Sequence, residues 1–176
     1  CVVDIGSNLG YYVLIASKIV GKRGQVIAIE PQDENQGMLR KNIIRNCCND
    51  NVKCIRYAIG DKNEDKKFYL SKRSNLHSMI KPFGYKGYTV VKMKTLDTLL
   101  DELNIEHVDL VRMDLEGYEV EVIEGMQSTL LNSRPILVIE VHCDILVYSK
   151  VRTLFTKLFD TVYKVDFVSD RDNDFA

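Results

Sequence analysis

The sequence has no CxxC pair, no apolar run approaching the length of a membrane span, and no surplus of charge of either sign. Each absence removes a class of protein. The five cysteines, Cys1, Cys47, Cys48, Cys54 and Cys143, are odd in number, which argues against a disulfide framework and for a reducing, cytoplasmic setting. The vicinal pair Cys47 and Cys48 also lacks the spacing of a zinc site. Runs such as VVDI and ILVIEV fall far short of the roughly 20 residues that a membrane helix needs, so no span is expected. Lys plus Arg number 24 and Asp plus Glu 25, leaving a net charge of -1 and no basic field for a polyanion. Nucleic acid is therefore not an expected partner. An initiator Met is lacking as well, and the chain stops in SDRDNDFA. The sequence reads as a single domain over 1–176, cut at both ends.

What is present is an ordinary globular composition, 45% apolar over 176 residues. A chain near 150 residues hides roughly two-thirds of its unfolded surface, enough to fold without staples. CVVDIG is a short strand closed by glycine, and YYVLIASKIV follows with helical spacing. QVIAIEP is a second strand, residues 33–46 a polar helix with Met38, Leu39, Ile43 and Ile44 on one face, and VKCIRYAIGD a third strand. Strands apolar on both faces and separated by helices predict a parallel sheet covered on both sides. DKNEDKK is then expected as a charged turn, with KFYLS and YTVVKMK as an inserted hairpin around the loop KRSNLHSMIKPFGYKG. A connection of that length inside a compact domain is usually functional, and Arg73, His77, Lys81, Phe83 and Tyr85 make it the expected shaper of an acceptor pocket. Beyond it come a helix at TLDTLLDEL capped by Thr95, a fourth strand VDLVRMD, a helix over 118–131, a fifth strand ILVIEVH, a helix near 146–158 and a sixth strand TVYKVDFV.

Two segments carry the chemistry. In VVDIGSNLGYY, Asp4 lies at the end of the first strand and Gly6 and Gly10 bracket a tight turn into a helix, whose first N–H groups face the carboxyl edge of the sheet. A dinucleotide fingerprint places glycine two residues after Gly6, where this chain has Asn8. A cofactor bearing an amino acid's carboxylate and ammonium suits the loop better than a pyrophosphate, with Asp4 serving the positive end. Glu30, 20 residues after Gly10, is placed to accept ribose hydroxyls, and Asp61 after the third strand is placed to accept an adenine amino group. In VDLVRMDLEGYEVEVIEGM, Asp114 ends a buried strand, Glu116 and Glu119 follow at a sharp turn, and the fifth strand brings Glu140 and His142 to the same edge. Asp114, then His142, are the candidate general bases, with His77 a third that can contact substrate. Asp, Glu and His there could also hold a mixed metal site, although no spacing demands one.

In order and spacing, DIGSNLGYY, AIEP, TLDTLLDEL, VDLVRMDLEGYEVEVIEGM and PILVIEVH, spanning about residues 2–142, resemble the FkbM-type family of S-adenosylmethionine-dependent methyltransferases. The resemblance implies a Rossmann-like α/β class I methyltransferase fold, with a mostly parallel sheet, helices on both faces and the hairpin inserted after the third strand. The last, antiparallel edge strand of such a sheet is not evident here. The resemblance also implies S-adenosyl-L-methionine as cofactor, bound by Asp4, Gly6, Asn8, Gly10 and Glu30, and O-methylation of a hydroxyl on a sugar or secondary metabolite. The expected partner is thus a small-molecule or glycan acceptor. The competing expectations are an NAD-dependent oxidoreductase and a non-catalytic cofactor-binding module.

Overall fold

The computed structural model describes residues 1–71, 77–81, 85–140, 149–151 and 153. Its centre is a five-stranded, all-parallel sheet in the order β3-β2-β1-β7-β8, formed by β1 (Val2–Ile5), β2 (Val26–Ile29), β3 (Val52–Ile55), β7 (Leu110–Asp114) and β8 (Ile136–Glu140). Three more strands, β4 (Ala58–Ile59), β5 (Glu64–Leu70) and β6 (Gly87–Lys94), make a second sheet in the order β4-β6-β5, with β5 and β6 antiparallel. The expected parallel core and inserted hairpin are both found.

Period-two alternation explains why the central strands read as continuous apolar runs. In β2, Val26 and Ala28 pack on one side with Val13, Leu39 and Ile43, while Ile27 and Ile29 pack on the other with Val3, Ile5, Val111 and Met113. The first side is covered by α1 (Tyr11–Val20) and α2 (Asp33–Arg45). The second is the larger cluster and takes in α3 (Leu96–Glu102), α4 (Glu119–Glu124), α5 (Gln127–Asn132) and the inward residues of the hairpin, Phe68, Val91 and Met93. Each fully buried Ile or Leu in these layers contributes roughly 1.5–3 kcal/mol relative to exposure.

Capping is where the TLDTLL segment earns its pattern. Thr95 caps α3 through its hydroxyl, which accepts from Thr98 N at 3.1 Å. Asp97 reaches across to α5, where its carboxylate accepts from Ser128 N, Thr129 N and the Thr129 hydroxyl at 2.9, 2.9 and 2.6 Å. One side chain thus supplies acceptors to donors that the first turn of a helix always leaves unpaired.

Three expectations are corrected. The third strand, VKCIRYAIGD, is two strands in two sheets: β3 pairs with β2, whereas Ala58 and Ile59 pair with Met93 and Lys94 of β6. An apolar run does not say which partner takes its backbone bonds, and here the partner changes at Arg56 and Tyr57. The helix over 118–131 is also two, α4 and α5, parted at Gly125. A β-carbon on Gly125 would lie 1.9 Å from the Gly60 carbonyl oxygen, so this close crossing of chains sets the break. The charged turn DKNEDKK is shorter than expected, because β5 already begins at Glu64. The sixth strand, most of the helix near 146–158, Cys143, Arg73 and Phe83 lie outside the described residues. Among the described residues, no helix is long and apolar enough to cross a membrane, and Cys1, Cys47, Cys48 and Cys54 are free.

Candidate active site

A cleft of about 350 Å³ opens at the carboxyl edge of β1, β2 and β7, within the usual size range of small-molecule sites. Its floor is the turn from β1 to α1. Gly6 N and Ser7 N both donate to the Ile29 carbonyl at 3.0 Å, which ties this turn to the end of β2. Gly6 has φ +79°, and a β-carbon there would stand 2.4 Å from the Asp114 carbonyl oxygen, so two cleft-forming turns meet at a point only glycine fits. Asn8, also left-handed at φ 48°, lines the cleft. Its side-chain oxygen is shielded from solvent and has no hydrogen-bond partner among the described residues.

Glu30 is buried at the end of β2 and lines the same cleft. Its two carboxylate oxygens accept from Asn8 N and Gln32 N, each at 2.9 Å. Burial pushes its pKa up, against the pull of those backbone donors. With the Asn35 side chain as a third donor, a carboxylate with about four acceptor sites still has room for a hydroxyl donor from a ligand. Tyr57, Ala58 and Ile59 form the adjoining apolar wall, while His77, Met79 and Phe68 close the cleft from the hairpin.

The charged centre is an arginine that the motif reading did not single out. Arg112 stands in the middle of β7, and the parallel register sets it beside Asp4 of β1 and Val138 of β8. Its guanidinium lies 2.8 Å from Asp114 and within 3.5 Å of Asp4 and Glu140, and it stacks over the Tyr12 ring at 4.1 Å. The available signal was a lone cation inside an apolar strand, two residues before Asp114 and hence on the same face. Asp4, expected from sequence to serve a ligand's positive end, is buried just beneath this cleft: one carboxylate oxygen lies 3.4 Å from Arg112, and the other has no hydrogen-bond partner among the described residues. Burial nevertheless pushes the Asp4 carboxyl above the usual carboxylate range, with Arg112 opposing the rise.

Asp114, Gly6, Asn8 and Glu30 all line the cleft, joined by Glu116 and Glu140. Gly10 does not line it; left-handed at φ +93°, it caps the start of α1. Asp61 is not brought to the cleft either. The pairing of β4 with β6, continued by Gly60 N bonding the Lys94 carbonyl, carries it towards Gly125, and its carboxylate lies 3.3 Å from Lys62 Nζ. Glu119, fully buried, binds the backbone of its own turn: one carboxylate oxygen accepts from Leu115 N and Gly117 N at 3.3 and 3.1 Å. His142 lies outside the described residues. Among the described residues, no three His, Cys, Asp or Glu side chains gather as a metal site.

A parallel sheet in this order, with helices on both faces and a ligand-sized cleft at its carboxyl edge, has the class I methyltransferase fold. Residues 4–162 match the Methyltransferase FkbM domain, and the chain belongs to that family. The resemblance read from the motifs is thereby borne out. The chain is 27% identical over 165 residues to the hexuronic acid methyltransferase AglP of Haloferax volcanii, an overlap covering 88% of this chain and 64% of that protein. It therefore spans less than two-thirds of that relative. Among solved structures, methyltransferase FkbM from Methylobacillus flagellatus KT superposes with a TM-score of 0.65 at 16% identity, over 89% of this chain and 36% of the other. Precorrin-6y C5,15-methyltransferase from Geobacter metallireducens GS-15 gives a TM-score of 0.53 at 16% identity, over 90% and 61%.

Proposed function

We propose that this chain transfers the methyl group of S-adenosylmethionine to a hydroxyl oxygen of a sugar, with a hexuronic acid as the favoured acceptor class. The observation that carries the reading is the sharing of one cleft by a buried ribose-type acid, Glu30, and a strand-end carboxylate, Asp114. The family match supports methyl transfer, and the relative AglP, a hexuronic acid methyltransferase, supports the acceptor. The residues fit the cofactor: Asn8 offers a shielded side-chain oxygen without a partner among the described residues, and Gly6 leaves the turn clear of a side chain.

When bound, the cofactor supplies a methyl group already activated by a sulfonium, so the protein's work is placement, dehydration and removal of one proton. Glu30 accepts from the ribose hydroxyls while its backbone donors hold it in position. Tyr57, Ala58 and Ile59 offer an apolar surface for a flat base. Asp114, at the cleft, would take the proton that the acceptor hydroxyl gives up in the methyl transfer. Arg112 fixes the direction of that carboxylate, and Asp4 and Glu140 in turn fix Arg112. Phe68, Met79 and Leu115 limit water at the reacting atoms.

Calorimetric titration with S-adenosylhomocysteine, with NADH as the control, tests the cofactor, and mass gain on a panel of hexuronosides and neutral hexosides tests the acceptor. Asp114→Asn should keep cofactor affinity and lose about 10²–10⁴-fold in turnover, the usual worth of a general base. Full activity in that variant would refute the assignment.

A further inference from the structure

We propose that His77 holds the acceptor as a neutral hydrogen-bond donor, through Nε2–H, to an oxygen next to the one that is methylated. The proposal rests on the methyl-transfer reading of the same cleft and narrows the acceptor to a molecule with two neighbouring oxygens. His77 lines the cleft from the hairpin side, edge-on to Phe68 at 6.1 Å between ring centres. Its Nδ1 accepts from Ser71 N at 3.0 Å. A neutral imidazole that accepts at one nitrogen carries its proton on the other, so the remaining nitrogen is a donor. Partial burial lowers the His77 pKa, which keeps the ring in that neutral form near pH 7.

The neighbouring residues tie the His77 segment to the turn that follows Asp114, and both side chains line the one cleft. Ser78 pairs with Tyr69 by two backbone hydrogen bonds, and its hydroxyl donates to the Glu116 carbonyl at 3.2 Å. The hairpin and the turn after β7 are thereby pinned together one residue from His77 and two residues from Asp114. A donor aimed at the nucleophilic oxygen would draw electron density from it and slow attack. The useful target is the adjacent oxygen, which leaves the reacting hydroxyl to Asp114. Vicinal oxygens are what a sugar ring presents, so the pair of groups would read position on the ring as well as hydroxyl chemistry.

Two substitutions separate this role from a structural one. His77→Asn keeps an oxygen where Nδ1 accepts from Ser71 but draws its N–H donors back short of the Nε2 position, and His77→Gln returns an N–H at the reach of Nε2. The acceptor probes are methyl glucuronoside and its deoxy analogues lacking a hydroxyl beside the methylated position. In the wild type, removing that hydroxyl should cost roughly 2- to 12-fold in kcat/KM, the equivalent of one neutral hydrogen bond. In His77→Asn the intact glucuronoside should lose the same factor, the deoxy probe should lose nothing more, and S-adenosylhomocysteine affinity and melting temperature should stay unchanged. His77→Gln should restore discrimination. An equal deoxy penalty in wild type and His77→Asn would overturn the proposal. Nitrogen-15 spectra of the imidazole decide independently of turnover: Nε2 protonated and Nδ1 bare at pH 7 is the expected state, and the opposite tautomer or an imidazolium overturns it. Cofactor binding with no methylation of any hexuronoside would instead count against the acceptor class, and the nitrogen-15 result would then decide on His77 alone.

Discussion

Replacing Gly6 with alanine tests whether the meeting of the two turns shapes the site. The backbone there is left-handed, which costs an L-residue roughly 1–2 kcal/mol. Gly21→Ala is the natural control, because Gly21 has φ +63° but nothing within 4 Å of an added β-carbon. Both variants meet a backbone cost, and Gly21, at φ 63° and ψ -161°, lies in a region reserved almost wholly for glycine, where it is about 1–3 kcal/mol. Gly6→Ala alone puts a methyl group 2.4 Å from the Asp114 carbonyl oxygen, a backbone atom that cannot rotate away. Separating them to an ordinary contact moves the turn after β7, and with it Asp114, by about 1 Å, a displacement able to cost 100-fold in rate. For a domain of this size, each kcal/mol lowers the melting temperature by about 2–4 °C. Gly21→Ala should therefore melt about 2–12 °C lower than wild type with unchanged S-adenosylhomocysteine affinity and turnover. Gly6→Ala should also melt lower, but in addition bind the cofactor more weakly and lose most turnover. Scanning calorimetry and titration read both. Equal melting shifts with full activity in Gly6→Ala would refute the argument that this crossing sets the geometry.

Glu30 predicts a pH signature. Its folded pKa is raised, so its contribution to stability is fully present below the unfolded value near 4.5 and is lost as pH rises through the folded value. In urea titrations from pH 4 to 7, wild type should lose stability relative to Glu30→Gln, and a difference that stays flat with pH would contradict it. Asp97→Ala removes the two oxygens that accept from three donors at the start of α5 and should cost about 1–2 kcal/mol, as lost helix caps do, measured by urea unfolding. Cofactor affinity should be untouched, since Asp97 does not line the cleft.

Features set by neighbours in sequence were legible without the structure. The strand, glycine turn and helix around Gly6, and the acid at the end of β7, follow from short-range patterns and were found where expected. Thr95 as a cap was equally local. What escaped depends on distant partners. The breaks after Ile55 and at Gly125 arise because β4 joins β6 and because Gly60 crosses Gly125, contacts between segments far apart in the chain. Asp61 lies away from the cleft lining for the same reason. Arg112 was overlooked because its meaning lies in the register that sets it beside Asp4, with Asp114 and Glu140 at the next pair along.

The cleft has walls from two sheets: the parallel one carries Asn8, Glu30 and Asp114, and the hairpin one carries Phe68 and His77. On the proposed function, evolution can therefore rewrite an acceptor-side wall without touching a cofactor-side one. The constraint on such a graft is narrow. Phe68, Met79, Val91 and Met93 belong to the common core and must be kept, which leaves the cleft-lining His77 as the position open to exchange. Exchanging that residue between relatives is a direct route to altered acceptor preference, with the donor half serving as a fixed chassis.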